Sequence, residues 1–225
     1  MKPRTCRGFL LNPLRKSAFI ILGILLLDQI VKIWVKTHMQ LGEQIAVAGN
    51  WFYISFIENY GMAFGMEFGG DTGKIILTLF RILVVAIMST YLYKLLKKQT
   101  LHTGVLVSFA MIIAGAIGNI IDSVFYGLIF NKGMVFDSAT GEFIRYNGLA
   151  EINFQGYASI LHGCVVDMFY FPIIDSTFPE WLPVWGGQHF VFFSPVFNIA
   201  DASITCGVAL FLIFRNKYIP SENNS

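Results

Sequence analysis

Two segments of this chain share the pattern Asn-x-x-Asp: Gly118-Asn119-Ile120-Ile121-Asp122 and Phe197-Asn198-Ile199-Ala200-Asp201. On a helix, that spacing puts amide and carboxylate on one face. Between them, Val165-Val166-Asp167-Met168-Phe169 sets a third acid inside an apolar, strand-like run. None of the three carboxylates has a basic neighbour beside it in sequence. A bland role as helix caps is open to single members, Asp201 above all, because negative charge is favoured in a first helical turn. Two carboxylates held about 3 Å apart cannot both ionise, so one becomes an acid and the other a base. Such a pair can activate water and protonate a leaving amine, which is the chemistry of an aspartic protease.

Other catalytic groups are missing or badly placed. No Gly-x-Ser-x-Gly elbow or Ser-x-x-Lys dyad is present, and neither is a His-Glu-x-x-His metal motif. His38, His102, His162 and His189 are scattered. Cys6, Cys164 and Cys206 form neither a disulfide framework nor a metal knuckle, and Cys164 reads as a small core residue.

The elements that must carry these acids are set by composition. Of 225 residues, 55% are apolar and 13% charged, about half the charge of an ordinary soluble domain. This excludes intrinsic disorder, and a net charge of +2 argues against nucleic-acid binding. What remains is an integral membrane protein: one membrane domain over 1–225, all-α, with a small β-rich layer outside the cytoplasm. Four stretches have the roughly 20 apolar residues a spanning helix needs, at about 17–35, 75–93, 101–121 and 193–214. If the spans alternate, ten of the sixteen lysines and arginines fall on one side. Both termini are then expected in the cytoplasm. Outer-face loops are expected at about 36–74 and 122–192. The first holds a strand-like run from Trp51 to Ile57.

Ionisable residues within spans are costly and default to functional candidates. Asp28 has a structural explanation in Lys32, one turn on. Arg81 could snorkel or pair with an acid, and the sequence assigns it no role.

In this setting the chain resembles the lipoprotein signal peptidase (signal peptidase II) family. The resemblance is carried, in order, by Asp28-Gln29-Ile30-Val31-Lys32, Asn59-Tyr60-Gly61-Met62-Ala63-Phe64-Gly65, Gly118-Asn119-x-x-Asp122, Val165-Val166-Asp167 and Phe197-Asn198-x-Ala200-Asp201. It implies that Asp167 and Asp201 are the catalytic pair. Asn119, Asp122 and Asn198 would orient them and bind substrate, Asn59 and Gly61 would line the pocket, and Asp28 and Lys32 would be structural. It implies an enzyme of the bacterial inner membrane, with its site near the periplasmic face. That enzyme cuts diacylglyceryl-modified prolipoproteins before the lipidated cysteine, is inhibited by globomycin, and needs no metal or cofactor. Membrane lipids are its other partners, and a monomer is expected. The family usually has Arg where this chain has Ser123, and its connection between the third and fourth motifs is shorter. The extra segment, about 124–162, is expected to be an outer-face hairpin or flap. The competing readings are a proton-coupled transporter or channel using the same acids, and a noncatalytic factor that binds signal peptides.

Overall fold

The computed structural model describes residues 12–61, 70–97, 101–192 and 195–215. Helix α1 spans Pro13–His38; Asn12 caps it by accepting the Leu14 N–H at 3.1 Å, and Pro13 occupies the first turn, where a missing N–H costs nothing. Helix α2 runs over Gly70–Lys97 and α3 over Thr103–Ile121. A π-helical turn, Asp122–Tyr126, and a short helix α4, Gly127–Ile129, prolong α3. Helix α5 is Ile199–Phe214.

The outer helices are patterned inside out. Apart from Val35, the residues α1 buries are Ser17, Asp28, Lys32 and Lys36, while Phe19, Leu22, Leu26 and Ile30 are exposed. Helix α2 likewise turns Lys74 and Thr78 inward and exposes Ile76, Phe80, Leu83 and Ile87. Lipid, not water, is the solvent that favours this arrangement. Helix α3 is the central one and packs on α1, α2 and α5. Glycines let it approach α5 closely: a Cβ on Gly115 would lie 2.2 Å from the Ala200 carbonyl oxygen.

Among the described residues three helices, Pro13–His38, Gly70–Lys97 and Thr103–Ile129, are long and apolar enough to cross a membrane. The fourth stretch departs from expectation. Of the expected 193–214 span, Val196–Phe197 is strand and the helix starts only at Ile199, leaving 16 residues. At 1.5 Å per residue that is about 24 Å, short of a 30 Å hydrocarbon core.

A four-stranded antiparallel sheet lies at one end of the helices. Its strands are β1 (Gln44–Ala48), β2 (Phe52–Asn59), β5 (Val165–Tyr170) and β8 (Val196–Phe197), in the order β1-β2-β5-β8. The strand expected at Trp51–Ile57 is therefore present. Asp167 pairs with Ile57, and Phe169 with Phe197, so the sheet carries Asp167 towards the start of α5. Two separate hairpins, β3–β4 (Val135–Asp137 with Glu142–Ile144) and β6–β7 (Ile174–Thr177 with His189–Phe192), are also found among the described residues.

Residues 36–38, 70–74 and 122–129, expected in outer loops, are helical. The 124–162 segment does contain a hairpin, β3–β4, but it is no peripheral flap. Tyr126, Phe130 and Ala150 are buried in one cluster with Val35, Met39, Phe56, Val166 and Met168. Tyr146 and Tyr157 pack against that cluster. Here Lys36 is fully buried, its ammonium 5.0 Å from the Phe130 ring centre and 5.1 Å from that of Tyr157. It pairs with Glu58, which also accepts the Met134 N–H at 2.6 Å and the Tyr146 hydroxyl at 3.0 Å. The aromatic run of the insert thus encloses a buried ion pair beside Asn59.

Candidate active site

Asp167, on the inner strand β5, is 4% exposed. Its Oδ1 accepts from Asn198 Nδ2 at 2.6 Å and its Oδ2 from Asn59 Nδ2 at 3.3 Å. Asp201, in the first turn of α5, accepts from Asn119 Nδ2 at 2.8 Å through Oδ1. Asn198 Nδ2 also lies 3.2 Å from Asn119 Oδ1, linking the two amides that serve the two acids.

The orientation of each amide has a cause. Asn119 Oδ1 is taken by Lys32 Nζ at 2.9 Å, so its NH2 group must face Asp201. Asn198 Oδ1 accepts the Asp201 backbone N–H at 2.8 Å, capping α5, so its NH2 group faces Asp167. Asn59 Oδ1 accepts the Gly61 N–H at 2.8 Å, which turns its NH2 towards Asp167 as well. Gly61 adopts φ +124°, a backbone conformation that favours glycine. The side-chain groups bonded to the two carboxylates are therefore donors only. Burial and the neighbouring Asp201 charge push the Asp167 carboxyl up to about 8, so it holds its proton at neutral pH.

The two Asn-x-x-Asp segments prove different in kind. In the first, Asn119 lies in α3 and Asp122 opens the π-helical turn, and both reach Lys32. In the second, Asn198 is the helix cap and not a helical residue, so the shared-face expectation is corrected there. An Asn with an acid three residues on is a sequence pattern for a helix start.

Asp122 is fully buried and has a basic partner, Lys32, at 2.7 Å, which lies far away in sequence. It further accepts from Gln29 Nε2 at 2.9 Å and from the Val166 N–H at 3.4 Å, so it holds the strand next to Asp167. The Asp28–Lys32 pair is present at 2.9 Å, and Asp28 additionally accepts the Ala200 N–H at 2.9 Å, fastening α1 to the first turn of α5. Lys32 is thus shared by Asp28, Asp122 and Asn119. Ser123 is buried and its hydroxyl donates to the Asn119 carbonyl at 3.0 Å.

Sequence reasoning missed Gln29 as a site residue; it spans Asp28 and Asp122 and accepts the Tyr126 hydroxyl at 3.1 Å. Its place between Asp28 and Lys32 was the available signal. Met62-Ala63-Phe64-Gly65 of the second motif lies outside the described residues. Burial pushes the Cys164 thiol up to about 12, which suits a core residue and not a nucleophile. No group of three His, Cys, Asp or Glu suited to a metal occurs among the described residues.

The sequence matches the profile of Signal peptidase (SPase) II over residues 20–216. It is 46% identical over 198 residues to the lipoprotein signal peptidase of Porphyromonas gingivalis, covering 87% of this chain and 80% of that one. It is 34% identical over 202 residues to the lipoprotein signal peptidase of Amoebophilus asiaticus, covering 89% and 77%. A bacterial membrane enzyme solved at 2.3 Å by the in meso method shares the fold, with TM-score 0.55, 22% identity and 94% of each chain covered.

Proposed function

The chain belongs to the signal peptidase II family, and from that premise we propose that it removes signal peptides from diacylglyceryl-modified prolipoproteins, cutting before the lipidated cysteine with Asp167 and Asp201 as the catalytic pair. One observation carries the reading: a buried carboxyl that keeps its proton to about pH 8 stands beside a second carboxylate, each held by amide donors. Asp201 takes a proton from a water molecule whose oxygen attacks the scissile carbonyl carbon. Asp167 gives its proton to the carbonyl oxygen. In the collapse of the gem-diol the C–N bond breaks as the nitrogen receives the proton held by Asp201, while one hydroxyl returns its proton to Asp167 and becomes the carbonyl of the new carboxyl group, so the pair regains its starting protonation. Lys32 acts at one remove, by fixing the Asn119 amide that holds Asp201.

A membrane-held peptide needs such a site at the edge of the bilayer, where acyl chains stay in lipid while water reaches the bond. Restricting both partners to that edge also lowers the entropic barrier to encounter. Three helices of spanning length, the shorter apolar helix α5 and the distribution of basic residues support a fourfold crossing of the bacterial inner membrane, with both termini cytoplasmic and the acids near the periplasmic face. We take the enzyme to work as a monomer and to be inhibited by globomycin. No observation favours the proton-coupled transporter.

The test is to incubate purified protein with a diacylglyceryl-modified prolipoprotein. The wild type shortens it, and Asp167→Asn and Asp201→Asn each abolish cleavage. Because the pair acts as one unit, the double change adds little further loss. Full turnover by Asp167→Asn, with Asp122→Asn inactive, would mean that another pair of acids does the work.

A further inference from the structure

Helix α2 carries one arginine in its apolar length, and the catalytic reading leaves it unused. Arg81 is partly buried. It lies on the face that also bears Lys74 and Thr78, which are 3% and 1% exposed, since positions 74, 78 and 81 follow the i, i+4, i+7 spacing of one helix face. Its neighbours on that face are satisfied: Lys74 donates to the Tyr60 carbonyl at 3.1 Å, and Thr78 to the Lys74 carbonyl at 2.9 Å. Arg81 is not. Among the described residues its five N–H donors have neither a hydrogen bond nor an ion pair. The guanidinium nevertheless lies within electrostatic range of Asp201, Asp167 and Asp122.

A guanidinium in an apolar helix is costly unless acceptors complete it. Here the acids supply a favourable field, but their side-chain hydrogen bonds come from Asn198, Asn59, Asn119, Gln29 and Lys32. An acceptor for Arg81 has to come from whatever lies between α2 and the catalytic pair. An anionic group is disfavoured there by the Asp201 and Asp122 carboxylates. A neutral carbonyl oxygen is not, and Arg offers it a fixed fork of donors.

We propose that Arg81 is a substrate-binding residue whose guanidinium takes a carbonyl oxygen of the substrate segment lying across Asp167 and Asp201. This rests on the peptidase reading and adds to it a specificity determinant from a second helix.

The experiment measures kcat, KM and thermal midpoint for the wild type, Arg81→Met and Arg81→Lys on a diacylglyceryl-modified prolipoprotein. Loss of a charge-assisted hydrogen bond made in the bound state raises KM on the order of 10- to 100-fold while kcat stays within about threefold. The thermal midpoint holds or rises in Arg81→Met, because an unpaired cation has been removed from an apolar helix, and Arg81→Lys recovers part of the KM. A substrate with ether-linked chains identifies the acceptor. If the loss in Arg81→Met persists on it, the carbonyl belongs to the peptide; if wild type and variant bind it equally weakly, the carbonyl is the lipid ester. A KM within twofold of wild type in Arg81→Met overturns the proposal. So does a fall in thermal midpoint in both variants that parallels the activity loss, because that marks a structural role. If the wild type itself leaves the substrate uncut, the peptidase reading fails instead.

Discussion

Replacing Asp167 by Asn separates catalysis from stability, and the effect of pH shows why. The folded carboxyl keeps its proton up to about pH 8, against an ordinary value of 3.8, because it is buried and stands beside Asp201. Between those values the folded protein binds one proton more than the unfolded chain. The stability this contributes is fully present below about pH 4 and is lost as pH rises through 8. One proton corresponds to about 1.4 kcal/mol per pH unit. From pH 5 to 8 the wild type therefore loses up to about 4 kcal/mol relative to a chain without the group. Asn has no such dependence, and its carbonyl can still accept from Asn198. Its NH2 group then meets Asn59 Nδ2 at the 3.3 Å site, a donor–donor contact whose cost does not vary with pH. For a chain of this length, 1 kcal/mol shifts the thermal midpoint by roughly 2–4 °C. The midpoint of Asp167→Asn minus that of the wild type should then grow by roughly 3–6 °C per pH unit between pH 5 and 8, and level off above. Thermal unfolding in detergent micelles at half-unit pH steps measures this, with the groups common to both proteins cancelling. A difference that stays constant across the range would refute the buried, protonated Asp167 and the acid role built on it.

Three further outcomes follow from the packing. Glu58→Ala leaves Lys36 buried among aromatic rings without its partner, costing about 3–5 kcal/mol; the thermal midpoint should fall by roughly 10 °C, and adding Lys36→Met should recover much of it. Gly115→Ala places a Cβ 2.2 Å from the Ala200 carbonyl oxygen and forces α3 from the turn that carries Asp201. Cleavage assays should show kcat falling far more than the stability loss of about 1–3 kcal/mol accounts for. Asp28→Asn keeps an acceptor for the Ala200 N–H whereas Asp28→Ala does not, so denaturation should find Ala worse by about 1–3 kcal/mol.

The membrane class, the three long helices, the strand β2 between the first two helices and the Asp28–Lys32 pair were legible in the sequence, because each is written within a few neighbouring residues. Apolar length sets a helix that can cross a bilayer, and a one-turn spacing sets an ion pair, whatever the rest of the chain does. The acids and asparagines could be named as candidates for the same reason: a polar side chain in an apolar run is costly and stands out.

Tertiary structure decided what those residues do to one another. Lys32 answers Asp122 and Asn119 as well as Asp28 only because α1 packs on α3, a contact across some ninety positions that no local pattern encodes. The start of α5 at Ile199 follows from Phe197 pairing with Phe169 and Asn198 capping the turn, so the apolar run alone overestimated the helix. The 124–162 segment looked separable because its glycines and short strands resemble surface hairpins. Its aromatic residues close over Lys36 and Glu58, and burial of that pair depends on three distant elements meeting at once. Spacing supplied the candidates, but the direction in which each amide points, and hence which carboxylate it serves, depends on which neighbour takes its carbonyl oxygen in the packed fold.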